Sequence, residues 1–171
     1  MTHLYKAIFV VAALGLSACT NPGNLGGGNG TGNGGAGMGA GAAGTASDPH
    51  SAAYFQQTIG DRVLFAVDTS SLTPEGRATL TGQAKWLTDN PEFAAIIEGH
   101  ADEQGTREYN LALGARRANA VSEFLVSQGV AGSRLRTVTY GKERPIEVCS
   151  NESCYAKNRR AVTVISAGAG A

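Results

Sequence analysis

Residues 21–45 are dominated by Gly, Asn and Ala, and no apolar residue recurs there at a helical or strand period. Such a stretch cannot bury enough apolar surface to offset the entropy of ordering it, so it predicts a disordered segment and leaves the core to the rest of the chain. Gly26-Gly27-Gly28-Asn29-Gly30 has a superficial likeness to a phosphate loop, but it follows no strand and opens no helix. From Tyr54 the composition turns globular, and about 110 residues remain, enough for one compact domain. As a flexible coil, residues 20–50 would span roughly 30 Å and reach about 100 Å when stretched. A tether of that kind lets a domain search nearby space and raises its effective concentration there.

The N-terminus explains what is tethered. Residues 1–6 are short and polar with one positive charge, residues 7–16 are apolar, and Leu16-Ser17-Ala18-Cys19 follows. This is the layout of a secretory signal, with an apolar run too short to span a bilayer. Leu-Ser-Ala-Cys resembles the lipobox of bacterial lipoproteins. The resemblance implies that Cys19 receives a diacylglycerol, becomes the new N-terminus and is N-acylated. At about 0.8 kcal/mol per buried methylene, three chains would anchor the protein permanently. Thr20 is not the Asp that favours inner-membrane retention in enterobacterial lipoproteins, which is consistent with delivery to the outer membrane. The expected layout is therefore a signal peptide at 1–18, a lipidated Cys19 with a linker to residue 50, a domain at 51–166, and a flexible tail at 167–171.

An exported chain lives where disulfides persist. Cys149 and Cys154, with four residues between them, are read as one small bridged loop. A metal would need two further ligands at suitable spacing, which the neighbouring sequence does not supply. So short a loop stiffens its own segment and does little for the fold as a whole. Lys and Arg number 14, as do Asp and Glu, and no basic stripe stands out, so nucleic acid is an unsuitable partner.

Residues 62–67 alternate as a strand with Val63, Phe65 and Val67 on one face. Thr73-Pro74-Glu75 reads as a helix start, with a capping hydroxyl, Pro in the first turn and an acidic residue after it. Leu80, Ala84 and Leu87 continue that helix, and Asp89-Asn90-Pro91 ends it. Residues 93–99 form a second strand, with Phe93, Ala95 and Ile97 on one side. A second helix is expected over about 107–128, with a core stripe of Leu111, Ala115, Ala118, Ser122 and Leu125 and a stop at Gly129. Strands at 135–140 and 160–165 follow, separated by a loop that has room for one short helix. The order β-α-β-α-β-β predicts an α/β (α+β) two-layer sandwich, with helices on one face of a four-stranded mixed sheet.

The chemistry concentrates in EGHADEQGTREYNLALGARRA, residues 98–118. Asp102 sits just past the C-terminal end of the second strand, an edge where open α/β sheets often bind ligands. At 100° per residue, Asn110, Leu113 and Arg117 share one shoulder of the second helix, and Arg116 points away from it. Asp102 can accept from an ammonium, and Arg117 can grip a carboxylate with paired hydrogen bonds. Together they suit a group carrying both charges at amino-acid spacing. The competing arrangement is a plain Asp102–Arg117 salt bridge that only ties loop to helix.

Phe65-Ala66-Val67-Asp68, Glu98-Gly99-His100-Ala101-Asp102-Glu103-Gln104-Gly105-Thr106, Tyr109-Asn110, Leu113-Gly114, Arg116-Arg117-Ala118-Asn119-Ala120-Val121, Tyr140-Gly141-Lys142-Glu143, Pro145 and Asn158-Arg159-Arg160-Ala161-Val162 resemble the OmpA-like domain family, in particular its peptidoglycan-associated lipoproteins (Pal). The likeness covers nearly all of residues 63–164. It implies non-covalent binding of peptidoglycan through meso-diaminopimelate. The family's ligand-binding Asp falls on Asp102 and its Arg on Arg117, while Asn110 and Leu113 take positions that shape the pocket. It also implies the Tol system as partner, through TolB bound on a surface overlapping the wall-binding region, with the outer membrane drawn inward at division. The expected location is the outer membrane, lipid-anchored, with the domain facing the periplasm. One departure is Ala66, where some members carry Asp. The pocket is then expected to lean more on backbone groups.

Other constellations are weaker. His100, Asp102 and Glu103 lack the His-Glu-x-x-His spacing of a zinc site. Glu98 and Asp102 could pair as acid and base for glycan or peptide cleavage, but no nucleophile or activated water is evident. No catalytic residue, metal or cofactor is expected. Arg159 and Arg160 read as structural ion-pair partners, Trp86 as packing at a helix edge, and Tyr109 as a pocket rim or core cover. The alternatives are an OmpA-like wall tether independent of Tol and, from another class, a peptidoglycan-processing enzyme.

Overall fold

A computed structural model describes residues 44–168. The signal segment, Cys19 and most of the linker lie outside the described residues. The domain opens with a single helical turn, α1 (Ala52–Tyr54), which runs into a π-type segment at Phe55–Gly60. Then come β1 (Arg62–Leu64), α2 (Pro74–Asp89), β2 (Phe93–His100), α3 (Arg107–Ser127), a 3-10 turn at Gly132–Arg134, β3 (Leu135–Gly141), α4 (Glu152–Asn158) and β4 (Arg160–Ala167). The sheet order is β1-β4-β2-β3. The β1/β4 and β4/β2 pairs are antiparallel and β2/β3 is parallel. The expected mixed four-stranded α/β sandwich is the observed fold.

Local chemistry sets the helix starts. Thr73 Oγ1 accepts from the Gly76 amide at 3.0 Å, and Thr106 Oγ1 accepts from the Tyr109 amide at 3.2 Å, so each hydroxyl satisfies an amide that the helix cannot. On β2, Phe93, Ala95 and Ile97 alternate into the core. They meet Leu80, Ala84 and Leu87 of α2 and Ala118, Val121 and Leu125 of α3. Trp86 belongs to this core, packed at tilted angles between Phe55 and Phe93 with ring centroids 4.9 and 5.1 Å away. Its indole N–H donates to the Pro49 carbonyl at 2.7 Å, and His50 Nδ1 lies 2.6 Å from Asn90 Oδ1. The last residues assigned to the linker are thus bonded to the end of α2.

Besides the helical segment at 52–60 that precedes β1, two details differ from the sequence reading. β1 stops at Leu64, and although the Phe65 amide still donates to the Arg159 carbonyl at 2.9 Å, Val67 has left the sheet and is exposed. The buried face of α3 is also rotated from the expected stripe. It comprises Asn110, Leu113, Gly114, Arg117, Ala118, Val121 and Leu125, whereas Leu111, Ala115 and Ser122 lie at its margin. The cause is a close crossing with β2. A Cβ placed on Gly99 would fall 1.9 Å from the Gly114 carbonyl oxygen, and one on Gly114 would fall 2.5 Å from Thr139 Oγ1. Two residues without side chains let the backbones approach here, and that contact turns the polar shoulder of α3 inward.

Candidate functional site

The inward turn of α3 brings Asn110 and Leu113 beneath the loop that leaves β2. Together with Val67, Asp68, Asp102, Gln104, Gly105 and Tyr109 they line a half-open cavity of about 260 Å³. Small-molecule sites commonly start at roughly 300 Å³, so this one suits a compact group. Leu113 and Val67 give it apolar surface, and Asp68 and Asp102 give it two carboxylates.

The loop at 102–106 is held from several sides. Asp102 Oδ1 accepts from the Gln104 amide at 3.2 Å, and Asn110 Nδ2 donates to the Gln104 carbonyl at 2.7 Å. Lys142 Nζ donates to the Gly105 carbonyl at 2.7 Å. On the opposite wall Asp68 has φ 53°, a left-handed conformation that Asp tolerates better than most residues. The Tyr109 hydroxyl donates to its carboxylate, so Tyr109 sits on the rim.

Arg117 takes a different place from the one its spacing suggests. Its guanidinium does not line the cavity and is fully buried. Nε donates to the Thr69 carbonyl at 2.8 Å, Nη1 to His100 at 2.8 Å and Nη2 to Ala66 at 3.1 Å. The face of Phe65 lies 5.1 Å from the guanidinium carbon. Three of its five donors are thus spent on carbonyls from both walls of the cavity. Burial lowers its pKa to about 10, with Asp102 and Asp68 pulling upward and Arg159 and Arg116 adding to the depression. It remains a cation at neutral pH.

The partner of Asp102 is Arg159, whose Nη1 donates to Oδ2 at 3.1 Å. The competing Asp102–Arg117 bridge is therefore not formed, and Arg159 takes the place at the carboxylate. Arg159 also pairs with Glu152 at the start of α4. Burial disfavours the Arg159 cation, but its hydrogen bonds to Glu152 and Asp102 outweigh that and raise its pKa. The sequence reading of Arg159 as an ion-pair partner thus holds, with Asp102 as one of its two carboxylate partners, while its Nε donates to the Phe65 carbonyl at 3.3 Å. Cys149 and Cys154 form a disulfide with Cα atoms 5.9 Å apart.

Among the described residues, no group of three or more His, Cys, Asp and Glu side chains is placed to hold a metal ion. The sequence reasoning assigned no part in the pocket to Asp68, Val67 or Gln104. The available signal was Asp68 itself, an acidic residue just past the first strand on the edge that carries Asp102.

Known proteins carry the same architecture. A model of the OmpA family matches residues 64–159. The peptidoglycan-associated lipoprotein of Mesorhizobium japonicum is 58% identical over 125 residues, 73% of this chain and 74% of that protein. The peptidoglycan-associated lipoprotein of Rhizobium meliloti is 49% identical over 163 residues, 95% of this chain and 88% of that protein. The crystal structure of the peptidoglycan-associated lipoprotein from Burkholderia pseudomallei is similar with a TM-score of 0.63 at 36% identity, over 71% of this chain and 98% of that one. The C-terminal domain of Helicobacter pylori MotB, 21% identical with a TM-score of 0.58 over 62% of this chain and 84% of that one, shares the fold. With its matched stretch running from the end of β1 to the start of β4 and its relatives similar over most of their length, the chain belongs to the OmpA family and, within it, to the peptidoglycan-associated lipoproteins.

Proposed function

We propose that the protein is a lipid-anchored lipoprotein of the outer membrane whose domain binds peptidoglycan non-covalently through diaminopimelate. The observation that carries this reading is the cavity between α3 and the two loops, where Asp102 and Asp68 face an apolar floor of Leu113 and Val67. A diamino diacid offers an ammonium to a carboxylate and an aliphatic chain to the floor. Asn110 fixes the loop beneath it. Arg117 acts from behind the wall. Its positive charge favours a ligand carboxylate nearby, and its three carbonyl bonds hold the two walls at a set spacing.

The relatives' name, peptidoglycan-associated lipoprotein, supports the wall as the source of that ligand. The role is binding without cleavage. Through TolB the domain would link the wall to the Tol-Pal system, serving outer-membrane invagination at division and envelope integrity. Anchoring through acylated Cys19 and a Gly-rich tether suits a domain that must find the wall from a membrane.

The test is co-sedimentation with purified diaminopimelate sacculi. The wild-type chain should sediment and Asp102→Ala should stay in solution with its circular dichroism unchanged. Equal sedimentation of the two would remove Asp102 from the site, and released muropeptides would overturn the binding-only role. Co-purification with TolB separates the Tol-linked reading from a plain wall tether.

A further inference from the structure

The segment behind Asp102 is built as a chain of three contacts. The Cys149–Cys154 disulfide closes a loop over the start of α4. Asn151 caps that helix, its Oδ1 accepting from the Cys154 amide at 3.3 Å. Disulfide and cap together fix the first turn, whose first residue is Glu152. The Glu152 side chain is 67% exposed, yet its carboxylate turns back onto both terminal nitrogens of Arg159. Arg159 is only 6% exposed. Its Nη1 is shared between Glu152 Oε2 at 3.4 Å and Asp102 Oδ2 at 3.1 Å.

One guanidinium between two carboxylates divides its charge. With Glu152 in place, Asp102 keeps negative potential toward the cavity. Without it, Asp102 is the one carboxylate left to Arg159, whose Nε stays on the Phe65 carbonyl at 3.3 Å, and the guanidinium offsets the charge that an incoming ammonium would feel. Arg159 holds the Glu152 carboxyl below its ordinary pKa, so Glu152 is ionised at neutral pH.

We propose that Glu152, held in place by the Cys149–Cys154 disulfide, is a positioning residue that sets how strongly Asp102 takes an ammonium group in the cavity. The proposal rests on the diaminopimelate reading of that cavity. Reduction of the disulfide by a dithiol adds two electrons and two protons, one of each per sulfur, while the reagent closes to its own disulfide. It removes the covalent half of that support and leaves only the Asn151 cap, which loosens Glu152 from Arg159.

The experiment uses the full-length chain in detergent and meso-diaminopimelate as the probe, with calorimetry for affinity and the Gln104 amide resonance for the state of Asp102, to which that amide donates. Glu152→Gln and the dithiothreitol-reduced protein should each bind about three- to fivefold more weakly, the scale of an exposed ion pair. Cys149→Ser/Cys154→Ser should match the reduced protein. Reduction should cost Glu152→Gln nothing further, because both changes break the same link. Glu152→Asp should recover part of the loss, and the Gln104 amide should shift the same way in each weakened form. Unchanged affinity with an unmoved Gln104 amide, or losses that add, would overturn the relay. Should no form bind diaminopimelate, the functional reading falls, and the Gln104 amide alone still decides whether Glu152 and the disulfide act on Asp102.

Discussion

Arg159 Nη1 lies 3.1 Å from Asp102 Oδ2, whereas Arg117 spends its guanidinium on the carbonyls of Ala66, Thr69 and His100. The two arginines therefore divide the work that one had been expected to do. Arg159 orients the acidic group of the cavity. Arg117 ties the end of β2 to the loop at 66–69 and so fixes the width of the gap in which Asp102 and Asp68 stand.

Arg117→Ala should cost stability as well as binding. It strips three carbonyls of a charged donor in a buried site, a change of about 3–5 kcal/mol. Arg117→Lys should recover little, because an ammonium lacks the planar fork that reaches three acceptors at once. Urea unfolding of both variants checks this. Wild-type midpoints for both would show that the walls are held by something else.

Asp102→Asn keeps the shape of the side chain but removes its charge. It should still accept from the Gln104 amide, and Arg159 retains Glu152 as an anion partner. The expected outcome is a folded protein with lost retention on diaminopimelate sacculi. Sacculi built on lysine, which lacks the second carboxylate, should retain even the wild-type chain poorly. Equal retention of the wild type on both walls would mean that recognition of the ligand's second carboxylate plays no part.

Strand and helix periods made most of the fold legible: the core residues Phe93, Ala95 and Ile97 of β2 and Leu80, Ala84 and Leu87 of α2 are read directly from alternation and helical spacing. The rotation of α3 was not legible, because it depends on Gly99 and Gly114 meeting across 15 positions of chain, and spacing alone says nothing about how closely two backbones approach. That rotation explains why Asn110 and Arg117, placed on a shoulder by helical angle, are buried instead. Asp102, Asn110 and Leu113 were legible as neighbours, whereas the Arg159–Asp102 contact joins residues 57 apart and no local pattern encodes it.

Gly99→Ala tests the crossing directly. The added methyl would meet the Gly114 carbonyl oxygen, which is backbone and cannot rotate aside. The helix must shift, at a cost of about 1–3 kcal/mol for overpacking. Because Asn110 and Leu113 ride on the same helix, sacculus binding should weaken together with the melting temperature. A variant that melts as the wild type does would show that α3 has slack at this point.

His100 supplies the pH dependence. Its ring is 2% exposed, and neither ring nitrogen has a hydrogen-bond partner among the described residues. Burial lowers its pKa to about 4, and Arg160 and Arg144 push the same way. Glu98 Oε2 lies 3.6 Å from Nε2, and the Tyr140 ring lies 5.5 Å away, centroid to centroid. An unfolded chain binds a proton at His100 below about pH 6.5, whereas the folded one stays neutral until about pH 4. Between those values the unfolded state holds more protons, so stability rises with pH and is lost on acidification. The full interval corresponds to at most about 3 kcal/mol. Glu152, whose pKa is depressed, stabilises above the ordinary carboxylate range and loses its contribution only as pH falls through a lower window. His100→Phe fills the site without titrating. Chemical unfolding at half-unit steps should show the wild type losing stability from pH 6.5 to 4 and the variant much flatter across that range. Parallel curves would assign the acid sensitivity to the carboxylates.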